Sequence, residues 1–203
     1  IPMMDGSAAP FVGWVRSAGR VWQQAPRAEF EVVRPLEIRE GESLIRIEPG
    51  DGLSVSYSID FDHPCIGRQA LVFEKIDEEC FEREIAGART FGFEHEIESL
   101  RAAGLSLGGS FENAIVLDDE GVLNASGLRW RDEFVRHKVL DLLGDLSLLG
   151  ASLNGHVHVE RGGHSLHHRL VRTLLERVDV LAPVVGRIQA AEETAAPRLH
   201  RFA

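Results

Sequence analysis

Over residues 131–150, RDEFVRHKVLDLLGDLSLLG, apolar positions recur at helical period. Val135, Val139, Leu142, Leu146 and Leu149 gather on one side, which predicts a helix of about five turns with a core-facing stripe. Upstream the period changes to two. Residues 32–39, 43–49 and 53–61 read as consecutive strands joined at Glu40-Gly41 and Gly50-Asp51-Gly52, and 69–75 as a further strand. A short helix is predicted from an N-cap at Ser7 to Gly19, another over 77–86 with Phe81 and Ile85 as its apolar pair, and a third over 94–102. A glycine-rich stretch, 104–109, precedes a hairpin of 114–118 and 122–124. After the long helix, 152–160 alternates like a strand, and Gly162-Gly163 opens a last helix from His164 to about Leu181. Strands followed by helices, twice over, predict an α+β fold: a mainly antiparallel sheet with two helices on one face.

The polar side of the long helix carries the first candidate chemistry. His137, Asp141 and Asp145 follow at i, i+4 and i+8, and residues four apart stack one above the other. An imidazole nitrogen and a carboxylate oxygen can then converge on one point, the logic of a helical metal half-site. The same spacing also describes an exposed His–Asp ion pair. Phe134 and Leu148 fall on the same side as the row, which argues for partial burial, where charge needs a partner or a metal.

Composition narrows the classes. With 203 residues, 44% hydrophobic and 27% charged, the chain has the makings of a globular protein with one sizeable domain or two small ones. A net charge of -10 argues against a nucleic-acid binder but leaves room for a small anionic substrate met by a local cation. Two cysteines without CxxC spacing, no recognisable leader and no apolar run near the ~18 residues of a membrane span point to a reduced, cytoplasmic setting.

Other residues keep two readings each. His164 follows two glycines at a helix start, with His167 and His168 one turn on: a solvated terminus or a catalytic group. His156 and His158 share a strand face, as packing residues or a metal pair. Phe91 and Phe93 bracket Gly92 and present both rings to one side, as core aromatics or a ligand platform. Lys138 is a surface lysine or the cation for an anionic substrate, and Gly108-Gly109-Ser110 could offer backbone donors.

Taken together, IPMMDGSAAPF (1–11), IDFDHP (59–64), RTFGFEHEIESLRAAGLSLGGSFENAIVLDD (89–119), GLRWRDEFVRHKVLDLLGDLSLLG (127–150) and GGHSLHHRLVRTLL (162–175) resemble the UDP-3-O-acyl-N-acetylglucosamine deacetylase family, the zinc amidases of lipid A synthesis in Gram-negative bacteria. The likeness runs in order from Ile1 to about Val180. It implies His137 and Asp141 as two of three protein ligands to Zn2+, His164 as the histidine that protonates the leaving amine, Asp145 as the carboxylate that holds it, and Thr90 as an oxyanion donor. Lys138, Phe91 and Phe93 match residues around the sugar and its diphosphate. Ile97, Arg101, Ser110, Ala114 and Val116 match the insert that passes the acyl chain.

The family's first domain carries a V-E-H motif supplying the third ligand and the general base, and the sequence shows no match to it. Glu94-His95 lies in the acyl-passage segment. The resemblance therefore implies residues 1–22 as the end of a first domain, 23–31 as linker, 32–182 as a second domain in a two-domain sandwich with an insert near 89–113, and 183–203 as a weakly ordered tail. It further implies weak zinc binding and little activity for this chain alone, a UDP-sugar lipid precursor as substrate, and a monomeric full enzyme. The rival expectation is a non-catalytic module that binds UDP-sugar or acyl chains.

Overall fold

The computed structural model describes residues 2–177 and 179–184. Its centre is β8 (Ser152–Glu160), a nine-residue strand long enough to serve three neighbours. Over His156–Glu160 it pairs with β3 (Ser43–Glu48), antiparallel, and with β4 (Leu53–Phe61), parallel; Ser152–Asn154 pair in parallel with β1 (Glu29–Val32). β2 (Leu36–Glu40), β5 (Gly67–Phe73) and β9 (Leu181–Pro183) add to β3, β4 and β1, all antiparallel. The result is an α+β fold on a seven-stranded, mainly antiparallel sheet.

Alternation fixes which face is covered. Val157 lies opposite Ile47 and Val55, and Val159 opposite Ile45 and Tyr57, all buried. Burying each aliphatic side chain contributes about 1.5–3 kcal/mol before entropy is charged against it. Arg46, Glu48, Ser54, Ser56, His156 and His158 occupy the intervening positions on the other face. Against the apolar face lie α4 (Glu133–Leu146), over β4 and β5, and α5 (His164–Glu176), over β2 and β3. α1 (Ala9–Ala18) precedes the sheet. A second, parallel pair, β6 (Phe91–Phe93) with β7 (Ile115–Leu117), brackets α3 (Glu94–Ala102) as a small βαβ insert. No helix among the described residues is long and apolar enough to cross a membrane.

Several elements differ from the sequence expectation, each for a local reason. The strand expected over 32–39 is two strands, because Pro35 has no N–H to donate; β1 starts at Glu29, inside the stretch expected as linker. α1 begins at Ala9, with Ala8 at its cap; Ser7 Oγ accepts from the Ala9 N–H at 3.3 Å and donates to Asp5. The helix expected over 77–86 is a short α2 (Glu78–Cys80) that widens into a π turn, Phe81–Ile85, where Arg136 takes the Glu84 carbonyl at 2.8 Å. The hairpin after β7 shrinks to one bridge, Leu117 to Val122, because Asn124 accepts from the Val116 N–H and donates to the Phe111 and Ala114 carbonyls in place of a ladder. α5 stops at Glu176 rather than Leu181: Val180 is drawn into the core, its carbonyl accepts from Val33 N–H at 2.8 Å, and Leu181–Pro183 pair with β1 instead. The expected tail lies outside the described residues from 185 onward.

Candidate metal and histidine site

α4 is buried on more than its apolar stripe: Phe134, Val135, Val139, Leu142 and the charged Glu133 are fully buried, and so, nearly, are His137 and Asp145. Leu148, expected beside them, is 62% exposed, because the helix ends at Leu146 and a 3-10 turn over Ser147–Leu149 shifts the phase. Phe134 does sit with the polar row, edge-on to Phe91 at 5.0 Å.

His137 and Asp141 meet. Nε2 of His137 lies 3.3 Å from Oδ1 of Asp141, and Nδ1 lies 3.0 Å from the Ala88 carbonyl oxygen. A carbonyl only accepts, so Nδ1 carries the proton. In the neutral ring Nε2 then presents its lone pair beside a carboxylate oxygen, two electron-pair donors turned toward each other in a mostly buried place. A ligating histidine whose other nitrogen donates to a backbone carbonyl is the usual arrangement at metal sites, and the donor set suits Zn2+. Burial alone would raise the Asp141 pKa, but without a metal a His137 ring protonated at Nε2 as well can donate to it, and with Lys138 and His164 nearby this outweighs burial and holds it at about 2. Lys138 is not a free surface lysine. Its Nζ donates to Asp141 Oδ2 at 3.2 Å and stands 5.5 Å above the Phe91 ring.

One turn further along α4, Asp145 gathers three imidazoles from α5. His164 Nδ1 and His167 Nδ1 both donate to Oδ2, at 2.7 and 2.8 Å, and His168 Nε2 donates to Oδ1 at 2.9 Å. His164 thereby has its Nε2 on the side of Asp141, 3.8 Å from Oδ1. Asp145, His164 and His167 also lie close enough together to hold an ion. However, both Nδ1 atoms sit at hydrogen-bonding distance from one oxygen, which places a proton on each and leaves no lone pair there for a metal. The group is a hydrogen-bonded hub.

Behind it, fully buried His167 accepts at Nε2 from the Tyr57 hydroxyl, 3.1 Å away. Burial pushes the His167 pKa down despite the pull of Asp145, and burial with Asp141 and Asp145 nearby pushes the Tyr57 hydroxyl far up. A neutral imidazole and a proton-bearing phenol follow.

The remaining expected residues divide. Thr90 is half-buried, its N–H donating to the Gly6 carbonyl and its carbonyl accepting from Ile115. Phe91 and Phe93 both face Phe61, at 5.6 and 6.1 Å, and Phe93 stacks on His95. Ile97 is partly buried on α3, Arg101 is exposed at its end and Ala114 is partly buried before β7. Val116 is buried within β7, and Ser110 serves a turn, its N–H donating to Asn113 and its hydroxyl accepting from Glu112. His156 is occupied on both nitrogens by Ser54 and Ser56, while His158 faces Glu160, so the two do not form a metal pair.

Two features escaped the sequence. Tyr57 was legible in principle: it is the only tyrosine and sits at an inward position between Val55 and Ile59, where a phenol needs a partner. Glu133 was not. Its carboxylate, with 0% exposure, accepts from Arg89 Nε and Nη2 at 2.9 and 3.1 Å, from the Arg89 N–H at 3.1 Å and from the Arg129 N–H at 2.6 Å. Burial alone would raise its pKa, and these donors hold it below the usual carboxylate range.

The family model described as UDP-3-O-acyl N-acetylglycosamine deacetylase matches residues 1–176. The chain belongs to this family. It is 47% identical over 192 residues to the UDP-3-O-acyl-N-acetylglucosamine deacetylase of Oleidesulfovibrio alaskensis, covering 95% of this chain and 63% of the relative. It is 49% identical over 180 residues to the protein of that name from Thioalkalivibrio sulfidiphilus, covering 88% and 59%. A third, from Syntrophotalea carbinolica, is 46% identical over 179 residues, covering 88% and 58%. The chain thus spans about three-fifths of the length of these curated relatives.

Proposed function

We propose that this chain carries the metal half-site and the proton-donating histidine of a zinc-dependent deacetylase that removes the N-acetyl group of UDP-3-O-acyl-N-acetylglucosamine, in the cytoplasm. The observation that carries the reading is the pairing of His137 Nε2 with Asp141 Oδ1 at 3.3 Å while Nδ1 is committed to Ala88. His137 and Asp141 would hold the zinc, which when bound acidifies water and polarises a carbonyl. The reading takes the third ligand and the general base from the family's V-E-H motif, and expects weak zinc binding and low turnover from this chain alone.

The chain's own residues have defined tasks in it. Hydrolysis breaks the acetamide C–N bond; acetate leaves with the oxygen of water, and the sugar nitrogen must gain a proton. His164 is placed to give it from Nε2, because Asp145 fixes its Nδ1 at 2.7 Å and turns the other nitrogen toward the half-site. Thr90 offers a hydroxyl to the developing oxyanion. Lys138, Phe91 and Phe93 offer a cation and an aromatic wall to the sugar diphosphate, and the insert of Ile97, Arg101, Ser110, Ala114 and Val116 takes the acyl chain.

Zinc titration of the chain tests the metal reading. Binding is expected to be lost in His137→Ala and Asp141→Ala and kept in His156→Ala; equal binding in all of them sinks it. Acetate release is then compared with that of a full-length relative, with much lower turnover expected here. Parity would show that the base and third ligand have been misplaced.

A further inference from the structure

Two neighbouring residues of the segment before β6 are tied to successive turns of α4. Ala88 gives its carbonyl to His137, and Arg89 gives its guanidinium and its own N–H to Glu133, one turn earlier. Arg89 is held from a second side, its Nη2 donating to the Gly127 carbonyl at 2.8 Å. Arg129 is drawn in too, its backbone N–H to Glu133 and its guanidinium to Gly87 and Asp5. Thr90 follows directly, its backbone fixed by Gly6 and by Ile115.

The pair is costly to bury and poorly explained by stability, since well-packed apolar residues in the place of a buried ion pair are often neutral or better. What it does supply is direction. A forked guanidinium and a backbone N–H on one carboxylate define where residues 88–90 run relative to α4 far more tightly than apolar packing does.

We infer that Glu133 and Arg89 are positioning residues: their buried fork sets the Ala88 carbonyl against His137 Nδ1, and so presents Nε2 to the metal and Thr90 to the same site. The inference rests on the zinc reading above for its purpose but not for its geometry.

The test uses the whole chain in three forms: the parent, Glu133→Gln, and the double variant Arg89→Met/Glu133→Gln. The double variant leaves no unpaired buried charge and keeps an accepting oxygen for one of the two backbone N–H groups, so it is expected to fold even where the single variant, with Arg89 left unpaired, does not. Cooperative urea unfolding confirms that. Nitrogen-15 spectra of the imidazoles are then read with and without Zn2+. In the neutral ring the parent is expected to show the His137 proton on Nδ1. The folded double variant is expected to show a tautomer mixture and a roughly tenfold weaker zinc affinity, at the low end for lost support behind a metal ligand. A folded double variant with the parent's His137 tautomer and zinc affinity overturns the inference. If zinc leaves the parent's His137 signals unmoved, the metal reading falls, and the tautomer comparison alone still decides the positioning role.

Discussion

The two glycines ahead of His164 look alike in the sequence and are expected to behave differently when each is replaced by alanine. A Cβ built on Gly162 lies 2.3 Å from Val159 Cγ1, 3.0 Å from the Tyr57 hydroxyl oxygen and 3.3 Å from His167 Nε2. Ordinary carbon contacts begin near 3.5 Å, so Val159 would have to retreat by about 1.2 Å. It has nowhere to go: it is fully buried in β8 opposite Ile45 and Tyr57. Overpacking of this kind costs about 1–3 kcal/mol. At Gly163 nothing lies within 4 Å of the added carbon, and its φ of -163° is extended backbone open to any residue. There the stabilisation of about 0.4–1 kcal/mol from a stiffer unfolded chain is offset by a cap preference of similar size against alanine. Urea titration at constant m-value should therefore show Gly162→Ala destabilised by about 1–3 kcal/mol and Gly163→Ala within about 0.5 kcal/mol of the parent. The His167 imidazole signals should move only in the first. Equal midpoints, or a greater loss at Gly163, would refute the assignment of close packing to Gly162.

Tyr57→Phe leaves the buried Nε2 of His167 without a proton donor and is expected to cost about 1–3 kcal/mol, read as a fall in the thermal midpoint of roughly 2–4 °C per kcal/mol; an unchanged midpoint argues against the buried Tyr57–His167 bond. Glu133, Asp141 and Asp179 have pKa values below those of free carboxylates, the last two at about 2. For groups depressed in the fold, stability is present above the unfolded value and is lost as pH falls through the folded one. The chelated parent should lose stability progressively from about pH 4.5 toward pH 2, and the Arg89→Met/Glu133→Gln variant should lose less over that window. Urea unfolding at stepped pH checks both, and a flat profile from pH 5 to 3 contradicts the ion-pair picture.

Local pattern carried most of the fold. Alternation located β3, β4 and β8 within a residue or two, and the 3.6 period located α4, because each element's buried face is written in its own residues. What failed depended on partners distant in sequence. β9 reads as a helix end until β1 offers it an edge, and the 122–124 half of a hairpin reads as a strand until Asn124 takes its partner's N–H. The site followed the same rule. The His137–Asp141 approach is an i,i+4 relation and was legible. The attachment of His167 to Asp145, 22 residues away, and of Arg89 to Glu133, 44 residues away, was not.

The spacing of these polar groups along α4 accounts for their division of labour. Glu133, His137, Asp141 and Asp145 are each four residues apart, and four residues at about 100° each overshoot a full turn by about 40°. Neighbours in the row are close enough in azimuth for their side chains to meet, as those of His137 and Asp141 do. The ends of the row differ by about 120°. Glu133 therefore looks toward residues 87–90, while Asp145 looks toward α5 and its three histidines. One helix thus joins two separate supports to the His137–Asp141 pair between them. A five-residue spacing at any of the three steps would add about 100° and send that group away from its partners. The Arg89–Glu133 fork, the His137–Asp141 pair and the histidine hub are, on this geometry, consequences of a single repeated interval.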